Sequence, residues 1–378
     1  MKLIVYFRFL LLIILIIILL ILVNKIVYKN STMYSSIFLP YTKENMINMD
    51  IESDGDIKNP VILPDDVPNV AFPFKNLFDN NSKKLNVISI SAPFREPEHE
   101  RLYEQYKKQG LYFCGISSYL DFPDTLKNPY EGHFHEEEKH DYINMVSTWL
   151  HCFRELPDIL KNSDMPKMLM TEADMKNMDT YKIDPTIKKE YDFIYVCLDD
   201  DDKCTPGWNW YNRNWDLGKK CLEIMCRQFK LRGIIVGRTN CEFTDYCTGI
   251  VKVMPIMAWD KFQIEMQKCR FIFVPNISDA SPRVITEAMC YNMPALVNYN
   301  IVGGWHNIIP GVTGEFFTNE IDIADALEKI TKQTTYTPRK WYADNRSLKN
   351  SGGQFAQFLI KHYPNINNKN MPHAYVAI

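Results

Sequence analysis

Short apolar runs alternate with amphipathic segments along most of the chain after residue 85. In the first half, the predicted strands are 86–91, 111–116 and 167–170, and the predicted helices are 98–108 and 142–156. In the second half, the predicted strands are 192–198, 233–236, 248–254, 271–274 and 294–297, and the predicted helices are 214–230, 259–268, 283–291 and 321–332. Alternation of this kind predicts parallel sheets covered by helices, in two α/β halves that meet near 184–190.

The first residues depart from this pattern, because every residue from Leu3 to Val23 except Arg8 is apolar or aromatic. A helix of this length measures about 30 Å, which matches the hydrocarbon core of a bilayer. A cleaved signal peptide is the alternative, but its apolar region is usually about 7 to 15 residues long and ends at small residues, whereas Asn24 and Lys25 follow here. The sequence predicts a single-pass membrane anchor. Positive charges stand on both sides of it, so its orientation stays open.

Residues 29–84 are polar and irregular, with prolines at 40, 60, 64, 68 and 73, and predict a stem. Over the whole chain, 43 Lys and Arg residues nearly balance 46 Asp and Glu residues, for a formal charge of -3. This balance provides no overall basic field for a polyanion, so we expect no nucleic-acid partner.

The ten cysteines are scattered singly, several lie in apolar runs, and no CxxC pair occurs. They predict buried thiols instead of a zinc site or a disulfide framework, which favours a reducing compartment. Four glycosylation sequons point the other way, and they begin at Asn30, Asn80, Asn276 and Asn345. The sequence therefore leaves the compartment open.

The segment 271–317 contains the most informative group of polar residues. A buried strand ends at Pro275, a polar loop with Asp279 and Ser281 follows, and Pro282 and Arg283 open a helix. The N–H groups of a first helical turn favour an anion, and an arginine there adds a charge-assisted contact with a phosphate. Glu287 lies one turn further along the same face, where a carboxylate can accept hydrogen bonds from a ribose diol.

These residues resemble the donor-binding half of GT-B glycosyltransferases of the family 4 type. The matching pattern is Asp279, seven residues and Glu287, followed by Gly303 and Gly304 and by the glycine loop at 311–314. The resemblance covers about 191–331 and implies two Rossmann-like domains and a nucleotide-sugar donor. It also implies that Glu287 binds the ribose and that Asp279 lies near the sugar hydroxyls, which makes these two the candidate catalytic residues. Ser281, Arg283, Glu287, Gly303 and Gly304 are the implied donor-binding residues.

Several positions depart from the family's pattern. Asp279 stands where glutamate is usual, and Pro282 and Asn292 stand where the family has glycine. The family's Arg and Lys pair, which neutralises the leaving diphosphate after the first strand of this half, is not clearly present. Lys203 and Arg238 are the candidates at that place, and Arg283 is a substitute. The segment 279–288 also resembles the exostosin-type glycosyltransferases, another GT-B family.

With this resemblance, the chain divides into an anchor (1–28), a stem (29–84), an N-terminal Rossmann-like acceptor-side domain (85–188), a C-terminal Rossmann-like nucleotide-sugar-binding domain (189–350), and a crossing helix with a tail (351–378). We expect a membrane-anchored, metal-independent glycosyltransferase without a cofactor. It transfers a sugar from a nucleotide-sugar donor to a glycan, protein or lipid acceptor with retention of configuration. The alternative is a catalytically degenerate GT-B domain that acts as a membrane-tethered glycan-binding or scaffold protein.

Other candidate features have simpler interpretations. The four acids at 199–202 follow a strand, where a GT-A enzyme would hold a metal ion, but a solvated turn is more frequent. The histidines and glutamates at 132–140 fit an exposed loop better than a metal site. For the aromatic residues at 208–215, packing is a more frequent role than sugar stacking. Arg95 fits a solvated loop better than a phosphate contact, and Glu172 and Asp174 fit a helix cap.

Overall fold

The computed structural model describes residues 63–119, 122–123 and 140–376. All of them belong to one compact unit, Asn59–Ile378. The predicted anchor Leu3–Val23, most of the predicted stem, and residues 132–139 of the histidine-rich segment lie outside the described residues. Within the described part, no helix is long and apolar enough to cross a membrane.

The first lobe is built on a six-stranded sheet in the order β12-β1-β2-β3-β4-β5. Its strands are β1 (Phe74–Asp79), β2 (Lys84–Ile90), β3 (Tyr112–Ile116), β4 (Thr148–His151), β5 (Lys167–Leu169) and β12 (Ala374–Val376). Its helices are α1 (Pro97–Lys108), α2 (Tyr142–Met145) and α3 (Asp158–Lys161). Strands β2 to β5 are parallel, whereas β1 is antiparallel to both β2 and β12. The predicted parallel sheet therefore has an antiparallel edge.

The second lobe is built on a fully parallel sheet in the order β11-β10-β9-β6-β7-β8. Its strands are β6 (Tyr191–Val196), β7 (Gly233–Val236), β8 (Val251–Met254), β9 (Cys269–Val274), β10 (Ala295–Asn298) and β11 (Gly314–Phe317). Its helices are α4 (Trp208–Asn212), α5 (Trp215–Arg227), α6 (Trp259–Gln267), α7 (Arg283–Cys290) and α8 (Ile323–Lys332). Apolar clusters cover both faces of this sheet, as parallel strands require.

Two further helices, α9 (Pro338–Asn345) and α10 (Ser347–His362), lead the chain back to the first lobe. Phe355 and Leu359 of α10 are fully buried in the same cluster as Val87 and Leu150 of the first sheet. Strand β12 then pairs with β1. The crossing helix begins at Ser347, before the predicted boundary at 351. Ser347 and Ser351 are both buried.

Two predictions about the first lobe are wrong. The segment 142–156 is not one helix, since it contains the short helix α2 and the strand β4. Trp149 and Leu150 are adjacent and both fully buried, and a strand covered on both faces shows no alternation of apolar and polar residues. The predicted stem 29–84 also extends too far, because β1 pairs with β2 inside the first sheet.

The prediction that all ten cysteines are free thiols is wrong as well. Cys204 is disulfide-bonded to Cys241, and Cys226 is disulfide-bonded to Cys247, with Cα–Cα distances of 5.2 Å. These partners are 37 and 21 residues apart in the chain, and folding of the second lobe brings them together. The other six cysteines are buried, as predicted: Cys114, Cys152, Cys197, Cys221, Cys269 and Cys290.

Candidate functional site

The loop 275–282 joins the carboxyl end of β9 to the start of α7 and holds the two predicted polar residues. Asp279 is 8% exposed, and its carboxylate forms an ion pair with Arg213. Asn276 Nδ2 donates to Asp279 Oδ2 over 3.1 Å, and the backbone N–H of Ser281 donates to Oδ1 over 3.2 Å. The carboxylate is thus fixed at the carboxyl edge of the sheet, where ligands of open α/β sheets bind.

The glycine pair 303–304 packs directly against this loop. The backbone N–H of Gly303 donates to the carbonyl of Asp279 over 2.9 Å, and a Cβ at Gly303 would lie 1.8 Å from the carbonyl oxygen of Ala280. Gly304 has a positive φ of 72°, and a Cβ there would meet the ring of Pro282 at 2.5 Å. Only glycine permits this approach, so the pair shapes the loop that carries Asp279.

The first turn of α7 has the properties of an anion site. Pro282 occupies the N-cap position and offers no side-chain cap. Among the described residues, no side chain accepts a hydrogen bond from the backbone N–H groups of Arg283 and Val284, whereas the N–H of Ile285 donates to the carbonyl of Pro282 over 3.1 Å. Arg283 is exposed at the same helix start. Uncapped amides beside a guanidinium favour a phosphate group.

Glu287 lies one turn along α7, but its carboxylate already has partners. Lys176 Nζ lies 2.9 Å from Glu287 Oε1, and both side chains are about nine-tenths buried. Tyr181 is buried nearby, and burial together with this carboxylate raises the pKa of the Tyr181 hydroxyl far above its ordinary value. Both partners belong to the segment that links the lobes, so Glu287 lies at their junction.

Lys203 and Arg238 make no described contact with the 275–282 loop. Lys203 is exposed in the acidic loop after β6, where its backbone N–H donates to Asp201. Arg238 is 1% exposed, and its Nη2 donates to Asp200 Oδ2 over 2.6 Å. The structure therefore gives Arg238 a role in holding the acidic loop, and a buried, paired guanidinium is not presented to a phosphate.

The acidic run 199–202 is used within its own loop. Asp200 Oδ1 and Oδ2 accept hydrogen bonds from the backbone N–H groups of Asn209 and Trp210, at 2.6 and 2.9 Å, and so cap α4. Asp199 accepts from Thr239. Among the described residues, no group of three or more His, Cys, Asp or Glu side chains is arranged to hold a metal ion.

Arg213 is the cation that sequence reasoning missed. It directly follows α4 and is separated from α5 by Asn214, in the connection after β6, where the family resemblance implied a basic residue. The short helix α4 separates Arg213 from β6, so Arg213 is not among the residues that directly follow the strand in the sequence. Its position immediately before the predicted helix at 214 was the available indication. Its ion pair with Asp279 joins the segment that follows β6 to the 275–282 loop.

A second polar group, at the junction of the lobes, also escaped prediction. Asp174 is fully buried, and its carboxylate accepts a hydrogen bond from the backbone N–H of Thr171 at the start of a short 3-10 helix. This is the predicted capping role. Its two carboxylate oxygens also lie 3.0 Å from His306 Nε2, and Asn307 Nδ2 donates to Oδ1 over 2.8 Å. Although burial opposes ionisation, His306 holds the pKa of Asp174 well below its ordinary value.

His151, at the carboxyl end of β4, faces the same junction. Burial, and secondarily the nearby His306, lowers its pKa to about 4, so the ring is neutral at neutral pH. Nδ1 of His151 and Nδ1 of His306 are buried without a hydrogen-bond partner in the described structure. Ser281 Oγ accepts from the backbone N–H of Ala173 over 3.3 Å, so this junction adjoins the 275–282 loop.

The remaining candidates have structural roles. The guanidinium of Arg95 lies over the rings of Phe72 and Tyr119, at 5.6 and 5.2 Å from the centroids. Trp215 is fully buried and stacks on Tyr195, which confirms packing for that member of the aromatic group.

No protein-family model and no curated protein matches the sequence. Solved structures do resemble the fold. HepE of Anabaena in complex with UDP and glucose is 13% identical, with 72% of this chain and 78% of that chain covered and a TM-score of 0.51. Sucrose-phosphate synthase from Thermosynechococcus elongatus is 13% identical, with 69% and 71% covered and a TM-score of 0.50. At such identity the likeness shows the fold alone, and it confirms the predicted GT-B arrangement of two Rossmann-like domains.

Proposed function

We propose that this GT-B protein is a glycosyltransferase that transfers a sugar from a nucleotide-sugar donor to a glycan, protein or lipid acceptor. The observation that carries the proposal is the uncapped first turn of α7, which begins with the exposed Arg283 and follows the loop that fixes the carboxylate of Asp279. A donor of this class presents both a diphosphate and sugar hydroxyls, and these are the groups that such a turn and such a carboxylate bind. Binding of UDP and glucose by the structurally similar HepE supports the same donor class.

In this proposal the diphosphate accepts hydrogen bonds from the first-turn N–H groups of α7. Negative charge builds up on the diphosphate as the glycosidic bond breaks, so positive charge fixed nearby lowers the barrier. Arg283 supplies that charge at the helix start, and Arg213 supplies a second cation through its position beside Asp279. Two arginines would neutralise the leaving group without a metal ion, and we propose metal-independent catalysis on this basis.

Asp279 and Glu287 take the sugar and the ribose in the same proposal. Asp279 is held by Arg213 and Asn276, so one orientation of its carboxylate is available to a sugar hydroxyl. Glu287 is paired with Lys176, so a ribose diol that binds this carboxylate must share or displace the ammonium group. Because Lys176 belongs to the link between the lobes, donor binding would be coupled to the lobe junction.

Two further parts of the proposal, the membrane anchor and the retention of configuration, rest on the sequence. The apolar segment Leu3–Val23 supports a membrane anchor, and the family resemblance supports retention of configuration. Closure of two lobes over the donor would exclude water and limit hydrolysis.

Isothermal titration calorimetry of the detergent-solubilised full chain with UDP, GDP and their sugars tests the donor class. We expect one nucleotide series to bind, and Glu287→Gln to weaken it about tenfold through loss of a charged acceptor. Glutamine keeps the side-chain volume and an acceptor for Lys176, whereas alanine would leave a buried ammonium unpaired. If a folded sample bound none of these nucleotides, the enzyme proposal would fail.

The second candidate is a degenerate GT-B domain that binds glycans without transfer. The pairing of both acids with cations, Asp279 with Arg213 and Glu287 with Lys176, favours it, because each carboxylate is already engaged within the protein. Release of nucleoside diphosphate from a bound nucleotide-sugar in the presence of acceptor glycans would exclude this second candidate. Binding of glycans with no nucleotide affinity would support it.

A further inference from the structure

Two observations outside the candidate site concern the compartment of the folded part. Four of the ten cysteines form two disulfides in the second lobe. Disulfides persist in oxidising compartments and are rare in the reducing cytosol. Each forms when two thiols lose two electrons and two protons to a disulfide-exchanging oxidant, which such compartments supply. The two disulfides therefore favour an oxidising compartment, whereas the cysteine pattern of the sequence favoured a reducing one.

The glycosylation sequons differ in how exposed their asparagine and their hydroxyl-bearing residue are. Asn276 is 2% exposed, and its side-chain amide donates to Asp279, so it has no room for a glycan. Asn345 is exposed, but its amide donates to the carbonyl of Trp341 in the last turn of α9, and the hydroxyl-bearing residue of that sequon, Ser347, is 4% exposed. Asn30 lies outside the described residues.

Asn80 opens the third described sequon, in the turn between β1 and β2. Asn80 is partly exposed, and its amide donates to the neighbouring Asn81 Oδ1 over 3.0 Å at the surface. Ser82, which completes the sequon, is exposed, and its Oγ accepts from Tyr375 at the surface. The acceptor amide and the required hydroxyl are thus both accessible, as a surface turn in a glycosylated protein requires.

The turn does not depend on the Asn80 side chain for its conformation. Asp79 is buried, and its Oδ1 accepts from the backbone N–H groups of Asn81 and Lys83, at 2.8 and 2.9 Å. Asn368 Nδ2 holds the other oxygen of Asp79 over 2.7 Å. A glycan on Asn80, or a substitution there, leaves this network unchanged.

We propose that the folded part faces an oxidising, extracytoplasmic compartment and carries an asparagine-linked glycan on Asn80. In this modification Asn80 Nδ2 forms a bond to the anomeric carbon of an oligosaccharide and loses one proton. The bond from that carbon to a lipid-linked diphosphate, the oligosaccharide carrier, breaks, and the lipid diphosphate leaves. The cell's oligosaccharide-transferring enzyme would perform this step, so the proposal is independent of the activity of the chain itself.

The test is expression of the full chain in eukaryotic cells, followed by peptide mapping with and without peptide N-glycosidase. We expect the peptide with Asn80 to be glycosylated, the peptide with Asn276 to be unmodified, and disulfide-linked peptides that pair Cys204 with Cys241 and Cys226 with Cys247. Because the mapping uses the wild-type chain, it does not depend on the folding of any variant.

Matched variants assign the mobility shift on gels to one sequon. Asn80→Gln and Ser82→Ala should each remove one glycan, whereas Asn81→Gln changes the adjacent residue and keeps the sequon. An unmodified Asn80 peptide would overturn the glycan assignment, even if other sequons were modified. Alkylation of all ten cysteines without prior reduction would overturn the proposed compartment.

Discussion

Two connections at the carboxyl edge of the second sheet lead into helices, and they treat the start of the helix in opposite ways. After β6, Asp200 caps α4 by accepting hydrogen bonds from the backbone of Asn209 and Trp210. After β9, Pro282 precedes α7, none of the described side chains caps the first turn, and Arg283 is exposed. One helix start is closed by the protein's own carboxylate, and the other is open to an anion from outside.

The difference shows why charge composition alone points to the wrong place. The connection after β6 has four consecutive acids and resembles a metal-binding run. The carboxylate of Asp200, however, already caps α4 and pairs with Arg238. The connection after β9 has a single acid, but it leads into a helix start where Arg283 is exposed and the side chain of Pro282 provides no cap. In our proposal, the state of the helix start decides which connection binds the donor.

The largest expected effect is on stability, from Asp200→Ala. This change leaves Arg238 buried without its carboxylate and uncaps α4, so we expect the free energy of unfolding to fall by about 3–5 kcal/mol. Urea denaturation of the full chain, followed by tryptophan fluorescence, measures it.

Asp202→Ala is the matched control for this change, because Asp202 is an exposed member of the same acidic run. We expect a change within about 0.5 kcal/mol for it. Equal, small losses for the two variants would contradict the assignment of Asp200 as a cap.

The next effect concerns the open helix start. Arg283→Ala removes a charged donor from an exposed position, so we expect nucleoside diphosphate affinity to fall about tenfold, while stability changes by no more than about 0.5 kcal/mol. Calorimetric titration with the nucleotide that the wild type binds is the measurement. Arg227→Ala, an exposed arginine on α5, should leave affinity unchanged. An equal loss for both variants would indicate a general effect of charge.

A smaller effect should follow from placing an acid in the loop after β9, next to the start of α7, as the loop after β6 has an acid that caps α4. Ser281→Asp places a carboxylate next to Pro282, and repulsion of the diphosphate should weaken nucleotide binding several-fold relative to Ser281→Asn, which has nearly the same shape. The difference should shrink as ionic strength rises, because salt screens exposed charges. A difference that did not depend on salt would count against electrostatic repulsion.

The smallest expected effect is that of metal removal. Because two arginines neutralise the diphosphate in our proposal, EDTA should change the affinity for nucleoside diphosphate by less than about twofold. A Mg²⁺ or Mn²⁺ requirement in the same titration would shift the site toward the acids at 199–202.

The sequence predicted most of the second lobe because its strands are short apolar runs between clear helices. The strand at 233–236 was predicted with its observed bounds. The first lobe was harder. Strand β1 lies in a polar stretch and depends on pairing with β2 and with the distant β12, which no local pattern reveals. The buried strand β4 lacks alternation and so was mistaken for part of a helix.

The candidate site was predicted where it depends on one continuous segment. Asp279, Ser281 and the glycine pair 303–304 come together as one loop and its support. The pairing of Asp279 with Arg213, and of Asp174 with His306, joins residues that are 66 and 132 positions apart. The two disulfides have the same origin, since only tertiary structure brings their cysteines together.

A crystal structure of the protein with the nucleotide-sugar that it binds tests the central claim most directly. We predict that the diphosphate lies at the start of α7, with the backbone N–H of Arg283 and the guanidinium groups of Arg283 and Arg213 within hydrogen-bonding distance of its oxygens. A diphosphate beside Asp199–Asp202, held through a divalent cation, would contradict the account.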